Sequence, residues 1–304
     1  MSYPISESEL SILSIGSLIY SVGSTYLIQA KLLIQVKKMT FENPTVRLPA
    51  VAGQFYTDNA TVLSDQIQQL LIQAPAEADQ PPKAIIAPHA GYIYSGPVAA
   101  SAYKTLEPVS DKISRVVIMS PAHRYGFRGI AWSAADYFRT PLGDLKVDHQ
   151  AISRLDHLSF VANIEQAFEG EHALEVHLPF LQSVLNDFEI VPFIVGMAEP
   201  EQVAEVLETL WGDEKTLIVI SSDLSHFHDY QTARQRDHKT SQRIEALDYQ
   251  HIHGEDACGV YPLSGLLLAA KRKNLHATLL DQRNSGDTAG SRDSVVGYGA
   301  YIIN

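Results

Sequence analysis

Lys83 to Gly96 reads KAIIAPHAGYIYSG, and it is followed by the helix-forming run PVAASAYKTL. The apolar run Ala84-Ile85-Ile86-Ala87 stops at Pro88, and the next residue is His89. Four consecutive apolar residues ended by proline and glycine signal a buried strand, with the histidine in the loop at its carboxyl end. The chain repeats the arrangement twice. Arg115 to Met119 (RVVIM) runs into Ser120-Pro121-Ala122-His123, and Thr216 to Ile220 (TLIVI) runs into Ser221-Ser222-Asp223-Leu224-Ser225-His226. Ligands of open α/β sheets bind outside the carboxyl ends of the strands. The pattern therefore predicts a single α/β domain, an α/β/α sandwich around a central mixed sheet with helices on both faces, and three imidazoles gathered on one rim.

The elements outward from this stretch are consistent with such a domain. Thr57–Ala74, Glu171–Leu185, Pro200–Leu210, Tyr230–Leu247 and Pro262–Arg272 have helical apolar spacing, while Ile190–Val195 reads as a buried strand and Ser294–Ile303 as the strand that closes the sheet. Tyr137–Asp148 reads as extended segments joined by a turn at Pro141 and Gly143. No repeat, low-complexity linker or internal domain boundary interrupts 46–304.

Residues 1–45 differ from the rest. Leu10 to Ala30 has no charged residue but is diluted by Ser11, Ser14, Ser17, Ser21, Ser24 and Thr25. A transmembrane helix needs about 20 predominantly apolar residues, so this stretch is marginal. Glu7 and Glu9 precede it where a secretory signal would carry positive charge. The expectation is an N-terminal extension outside the core, with Met39 as an alternative start, and no membrane association.

The composition narrows the function. Of 304 residues 45% are hydrophobic and 19% charged, as in ordinary globular proteins. A formal charge of −12 without a basic run excludes a nucleic-acid backbone as partner. The one cysteine, Cys258, suits a reducing compartment and a cytoplasmic location. The glycine-rich pieces contain neither GxGxxG nor GxxxxGK[ST], and there is no GxSxG elbow, so nucleotide binding and serine hydrolysis have no motif behind them.

Metal or acid–base chemistry remains. Two neutral imidazoles, His89 and His123, with Cys258 as an anionic third, form a three-point attachment for iron or zinc that leaves positions open. Cys258 precedes an apolar helix, where a thiol is more readily deprotonated. The alternative is a free cysteine serving as a small buried hydrophobe. His226 reads as an acid–base group oriented by Asp223, the alternative being that Ser221, Ser222 and Asp223 cap the next helix. In Glu171-His172-Ala173-Leu174-Glu175-Val176-His177 helical spacing would put Glu171 and Glu175 on one face. This is not HExxH, because the histidines are five apart, and its reading is divided between support for the site and a solvated helix. His149, His157, His251 and His276 read as surface residues.

In order along the chain, RLPAVAGQFYTDN, APHAGYIYSG, SPAH, FRTPLGDL, EHALEVHLPFLQ, VPFIVG, SSDLSHF, the triplet Ala257-Cys258-Gly259 and SVVGYGAYII together resemble the Memo family (mediator of ErbB-driven cell motility), called AmmeMemoRadiSam system protein B in bacteria and archaea. The likeness starts near Arg47 and runs to the C-terminus. It implies a fold similar to LigB-type class III extradiol dioxygenases, non-haem iron enzymes in which two histidines and a glutamate hold Fe(II) and a further histidine moves protons. By that resemblance His89 and His123 take the histidine positions, Cys258 the carboxylate position and His226 the acid–base position. A thiolate is softer and more oxidisable than a carboxylate, so the implied divalent metal is Fe(II), with Zn or Cu(I) as alternatives, and ring cleavage is not implied. Two functions follow from the resemblance: metal-dependent redox chemistry, or a binding and scaffold role that uses an inherited pocket for a small molecule or peptide. The family name implies a radical SAM enzyme and an AMMECR-type protein as partners.

Overall fold

The computed structural model describes residues 44–75 and 80–304. The extension expected over 1–45 lies almost wholly outside the described residues. Among these, no helix is long and apolar enough to cross a membrane.

The first strand, β1 (Val46–Arg47), is followed by helix α1 (Ala60–Gln73), which is shorter than Thr57–Ala74 because Asn59 ends it by accepting from Val62 N. Then come β2 (Ala84–Ala87), α2 (Tyr92–Lys104), β3 (Arg115–Pro121), β4 (Ile130–Trp132), β5 (Tyr137–Thr140), β6 (Gly143–Lys146), α3 (His149–Ser153) and β7 (Val161–Asn163). The second half contains α4 (Leu178–Val184), β8 (Glu189–Val195), α5 (Pro200–Leu210), β9 (Thr216–Ser221), β10 (His226–His228), α6 (Tyr230–Glu245), α7 (Val260–Arg272), β11 (Ala277–Asn284) and β12 (Val295–Ile303).

Nine strands form one mixed sheet in the order β10-β12-β2-β9-β3-β8-β4-β7, with β11 also paired to β12. Its centre, β2-β9-β3-β8, is parallel. All residues of β2 and β9 are buried, as are all but the first of β3 and β8. Continuous apolar runs such as AIIA and TLIVIS are what a sheet covered on both faces requires. The helices flank the sheet in an α/β/α sandwich: α2 packs on α1 and α4, while α5 packs on α7, which lies on β3 and β9.

Three expectations change. β12 does not close the sheet. It lies inside, antiparallel to β2 on one side and to β11 on the other. The hairpin at Tyr137–Lys146 belongs to a separate three-stranded sheet with β1. The helix expected over Glu171–Leu185 begins only at Leu178, after a single 3-10 turn at Glu175–His177. Glu171 is the reason: its carboxylate accepts from the backbone N–H groups of His172 and Ala173 at 2.9 and 3.0 Å, which bends the chain before a helix can start.

Candidate metal centre

Because β2, β3 and β9 are parallel neighbours, their carboxyl ends share one edge. His89 follows β2 by two residues, His123 follows β3 by two, and Asp223 follows β9 by two. Cys258 comes from the loop before α7. It reaches this edge because Gly259 is a glycine: a Cβ there would stand 2.4 Å from Ser221 O and 2.6 Å from Ser222 Cβ.

His89, His123 and Cys258 each offer a ligand atom, and the three atoms lie within 4.8 Å of one another. Cys258 Sγ is 3.4 Å from His89 Nε2 and accepts from Asp223 N at 3.3 Å. The thiol is therefore in polar surroundings, unlike a cysteine packed as a hydrophobe. Burial, and then the charge of Asp223, push the thiol well above its ordinary pKa. This overturns the expected ease of deprotonation. A bound cation would supply the opposing charge, since metal binding and ligand ionisation are coupled.

The tautomers of both histidines follow from their far nitrogens. Ser221 Oγ donates to Ala173 O at 2.7 Å, so its lone pair accepts from His89 Nδ1, also at 2.7 Å. His123 Nδ1 donates to Glu171 Oε1 at 3.0 Å, and His123 N donates to Glu171 Oε2 at 2.6 Å. Each ring carries its proton on Nδ1 and leaves the Nε2 lone pair free. Metal-binding histidines are held in this way. Burial, followed by the neighbouring His123 and His172, holds His89 well below the usual histidine range, so it stays neutral. The donor set fits a divalent metal of the iron or zinc type.

A second cluster, His123, Glu171 and His172, also brings its ligand atoms within 4.8 Å. Its carboxylate is already committed. Glu171 accepts from two backbone N–H groups and His123 Nδ1 through Oε1, and from His123 N through Oε2. Burial raises the Glu171 pKa, but these bonds, with His123 foremost, outweigh it and hold the group at about 2. Glu171 is an orienting acceptor, as one reading of the sequence allowed. Glu175 is not its partner on a helix face: it accepts from Ala50 N, Val51 N and Tyr56 Oη and staples the 50–56 segment.

A cavity of about 700 Å³ opens beside the cluster, and His89, His123, His172, Asp223 and His226 all line it. The Asp223–His226 contact expected from their spacing is not formed. Asp223 Oδ1 accepts from His89 N at 2.8 Å, and Oδ2 stands 3.9 Å from His89 Nε2. His226 Nδ1 donates instead to Leu224 O at 2.8 Å. A backbone carbonyl thus fixes its tautomer and leaves Nε2 as the basic nitrogen. Burial raises the Asp223 pKa, with the His89 N–H working against it. Asp229, not Ser221–Asp223, caps the next helix, so the capping alternative falls. His172 belongs to the segment whose sequence reading is divided between support for the site and a solvated helix, and it lines the cavity. It stacks on His123 with ring centroids 5.0 Å apart and meets Phe55 at 4.8 Å. No sequence signal marks Leu224 O, a backbone atom, or Ser221, whose role depends on Ala173 from a distant segment.

Comparison with known proteins identifies a family. The model of the Memo-like protein family matches residues 47–302. The MEMO1 family protein SSO0066 of Saccharolobus solfataricus is 36% identical over 278 residues, covering 83% of this chain and 97% of that protein. A MEMO1 family protein of Metallosphaera sedula is 34% identical over 275 residues, with the same coverage of each chain. Among solved structures, the uncharacterized protein JW3007 from Escherichia coli K12 is similar over 71% of this chain and 98% of that one, with 16% identity and a TM-score of 0.47. That likeness is too weak to bear on function. The family match over 47–302 and the identities above 30% across most of both chains place the protein: it belongs to the Memo-like family.

Proposed function

We propose that the protein binds one divalent metal through His89, His123 and Cys258 and carries out metal-dependent redox chemistry on a small molecule bound in the adjacent cavity. The observation that carries this reading is the pair of histidines whose Nδ1 atoms are tied to Ser221 and Glu171, with His89 Nε2 3.4 Å from the Cys258 sulfur and one ligand atom from each of His89, His123 and Cys258 within 4.8 Å of the others. Fe(II) is the metal we favour, with Zn or Cu(I) as the alternatives the thiolate allows. When bound, the metal supplies Lewis-acid and one-electron chemistry.

The protein's own groups do the rest. His89 and His123 present lone pairs, and Ser221 and Glu171 keep them aimed. His226 accepts or returns a proton at Nε2, since Leu224 O holds its other nitrogen. Asp223 fixes the His89 backbone and leaves His226 to act alone. We place the protein in the cytoplasm, where one free cysteine is kept reduced, and in a modification pathway with a radical SAM enzyme and an AMMECR-type protein. The scaffold reading uses the same cavity for binding without turnover.

Metal analysis of protein purified without oxygen tests the proposal. The wild type should carry about one metal per chain, and Cys258→Ser should lose most of it, because a hydroxyl binds far more weakly than a thiolate. His226→Ala should keep its metal and lose any turnover. Full metal content in Cys258→Ser would remove the thiol from the site, and loss of metal in His226→Ala would make His226 a ligand.

A further inference from the structure

The cavity beside the metal centre has a definite chemical asymmetry. Part of its lining is apolar, from Phe55, Ile93, Tyr94, Val296 and Tyr298, and part is polar, from the histidines, Asp223 and Arg124. Ile93 is 60% exposed, and Phe227, next to the cavity-lining His226, is 78% exposed. Phe227 also has φ of 61°, a backbone region that bulky residues rarely occupy.

The other feature is Arg124, which follows His123 and lines the same cavity. Among the described residues no acidic side chain lies within 4.0 Å of Arg124, and it is the one arginine among the residues that line this cavity. Among the described residues no aromatic ring takes its guanidinium either. In a chain of formal charge −12, this cation lines the cavity with no ion-pair partner among the described residues. The carboxylate among the cavity-lining residues, Asp223, is 4% exposed and bonded to His89 N, and it forms no ion pair with Arg124. A volume of about 700 Å³ is within the range that holds a small organic ligand.

We infer that the cavity takes a small amphipathic monoanion, its apolar body against Phe55, Ile93, Tyr94 and Tyr298 and its anionic group paired with Arg124. The assignment names the ligand class of the site proposed above and rests on that reading. A planar guanidinium binds a carboxylate with two parallel N–H donors, which selects oxyanions over neutral polar groups of the same size. The apolar lining supplies affinity without choosing among charges.

The test uses three probes on one phenylalkyl skeleton, 4-phenylbutyrate, its isosteric amide and the corresponding primary amine, titrated calorimetrically into full-length protein. Shifts of the His172 and Tyr298 ring resonances locate the binding. The acid should bind about tenfold tighter than the amide, and the amine weakest. Arg124→Gln, an exposed substitution that breaks no contact of the fold, should erase the preference for the acid, while Ile93→Ser should weaken acid and amide alike. Equal binding of acid and amide to the wild type overturns the inference, as does a preference that survives Arg124→Gln, or no binding of any probe. Metal content is measured on the same samples. An intact anion preference in protein that never takes up metal supports the ligand class and overturns the proposed chemistry, so the two failures are distinct.

Discussion

Glu171→Gln separates the roles of holding the fold and aiming a ligand. The Glu171 side chain is buried, and four N–H donors converge on it: His123 N at 2.6 Å, His123 Nδ1 at 3.0 Å, His172 N at 2.9 Å and Ala173 N at 3.0 Å. Glutamine keeps one acceptor oxygen and turns an NH₂ toward donors that then have no partner. Losing one or two charge-assisted bonds at about 1.5–3 kcal/mol each predicts a loss of about 3 kcal/mol. The ionisation gives a similar figure. A carboxyl held at about 2 in place of 4.5 gains about 3 kcal/mol from its bonds, at about 1.4 kcal/mol per pKa unit. Its folded pKa is depressed, so that stability is present above pH 4.5 and is lost as the pH falls toward 2. Urea unfolding of metal-free protein at pH 7 should show the variant about 3 kcal/mol less stable, and its stability should be flatter between pH 4.5 and 2. With His123 free to turn, metal affinity should fall about 10–100-fold. An unchanged urea midpoint would refute the reasoning. Lost stability with unchanged metal affinity would leave Glu171 as a loop staple only.

Three further outcomes follow from local geometry. Gly259→Ala sets a Cβ 2.4 Å from Ser221 O, so the Cys258 loop must retreat; metal content should drop while circular dichroism stays native. Gly297→Ala meets the Asp237 carboxylate at 2.0 Å, and Asp237 Oδ1 accepts from Ser225 N at 3.0 Å beside His226. Thermal unfolding should show a loss of about 1–3 kcal/mol. His177 is fully buried with Nδ1 against Tyr103 Oη, and burial, then His89, pull its pKa from 6.5 to about 3. Its depressed folded pKa means that stability is full above pH 6.5 and declines as the pH falls toward 3, by about 4–5 kcal/mol in all. His177→Gln should remove that part of the acid sensitivity, which a pH series of urea midpoints measures.

The sequence by itself determined the framework. Apolar runs such as AIIA, RVVIM and TLIVI are long enough to be strands and too uniformly apolar to face water, so they read as buried central strands, and the structure pairs them in parallel. Parallel strands end on one edge, which brings His89 and His123 together without any knowledge of strand order. Tertiary structure alone decided the rest, because it rests on contacts between residues far apart in the chain. Asp223 sits three residues from His226 yet bonds His89, 134 positions away. Glu171 looked like a helical residue until His123, 48 positions away, claimed its carboxylate. Cys258 looked ready to ionise beside a helix start, but burial against Asp223 reverses that. Local spacing fixes which way a side chain leaves its own element. Which group it meets there is set by strand order and loop packing, and short-range patterns carry no record of either.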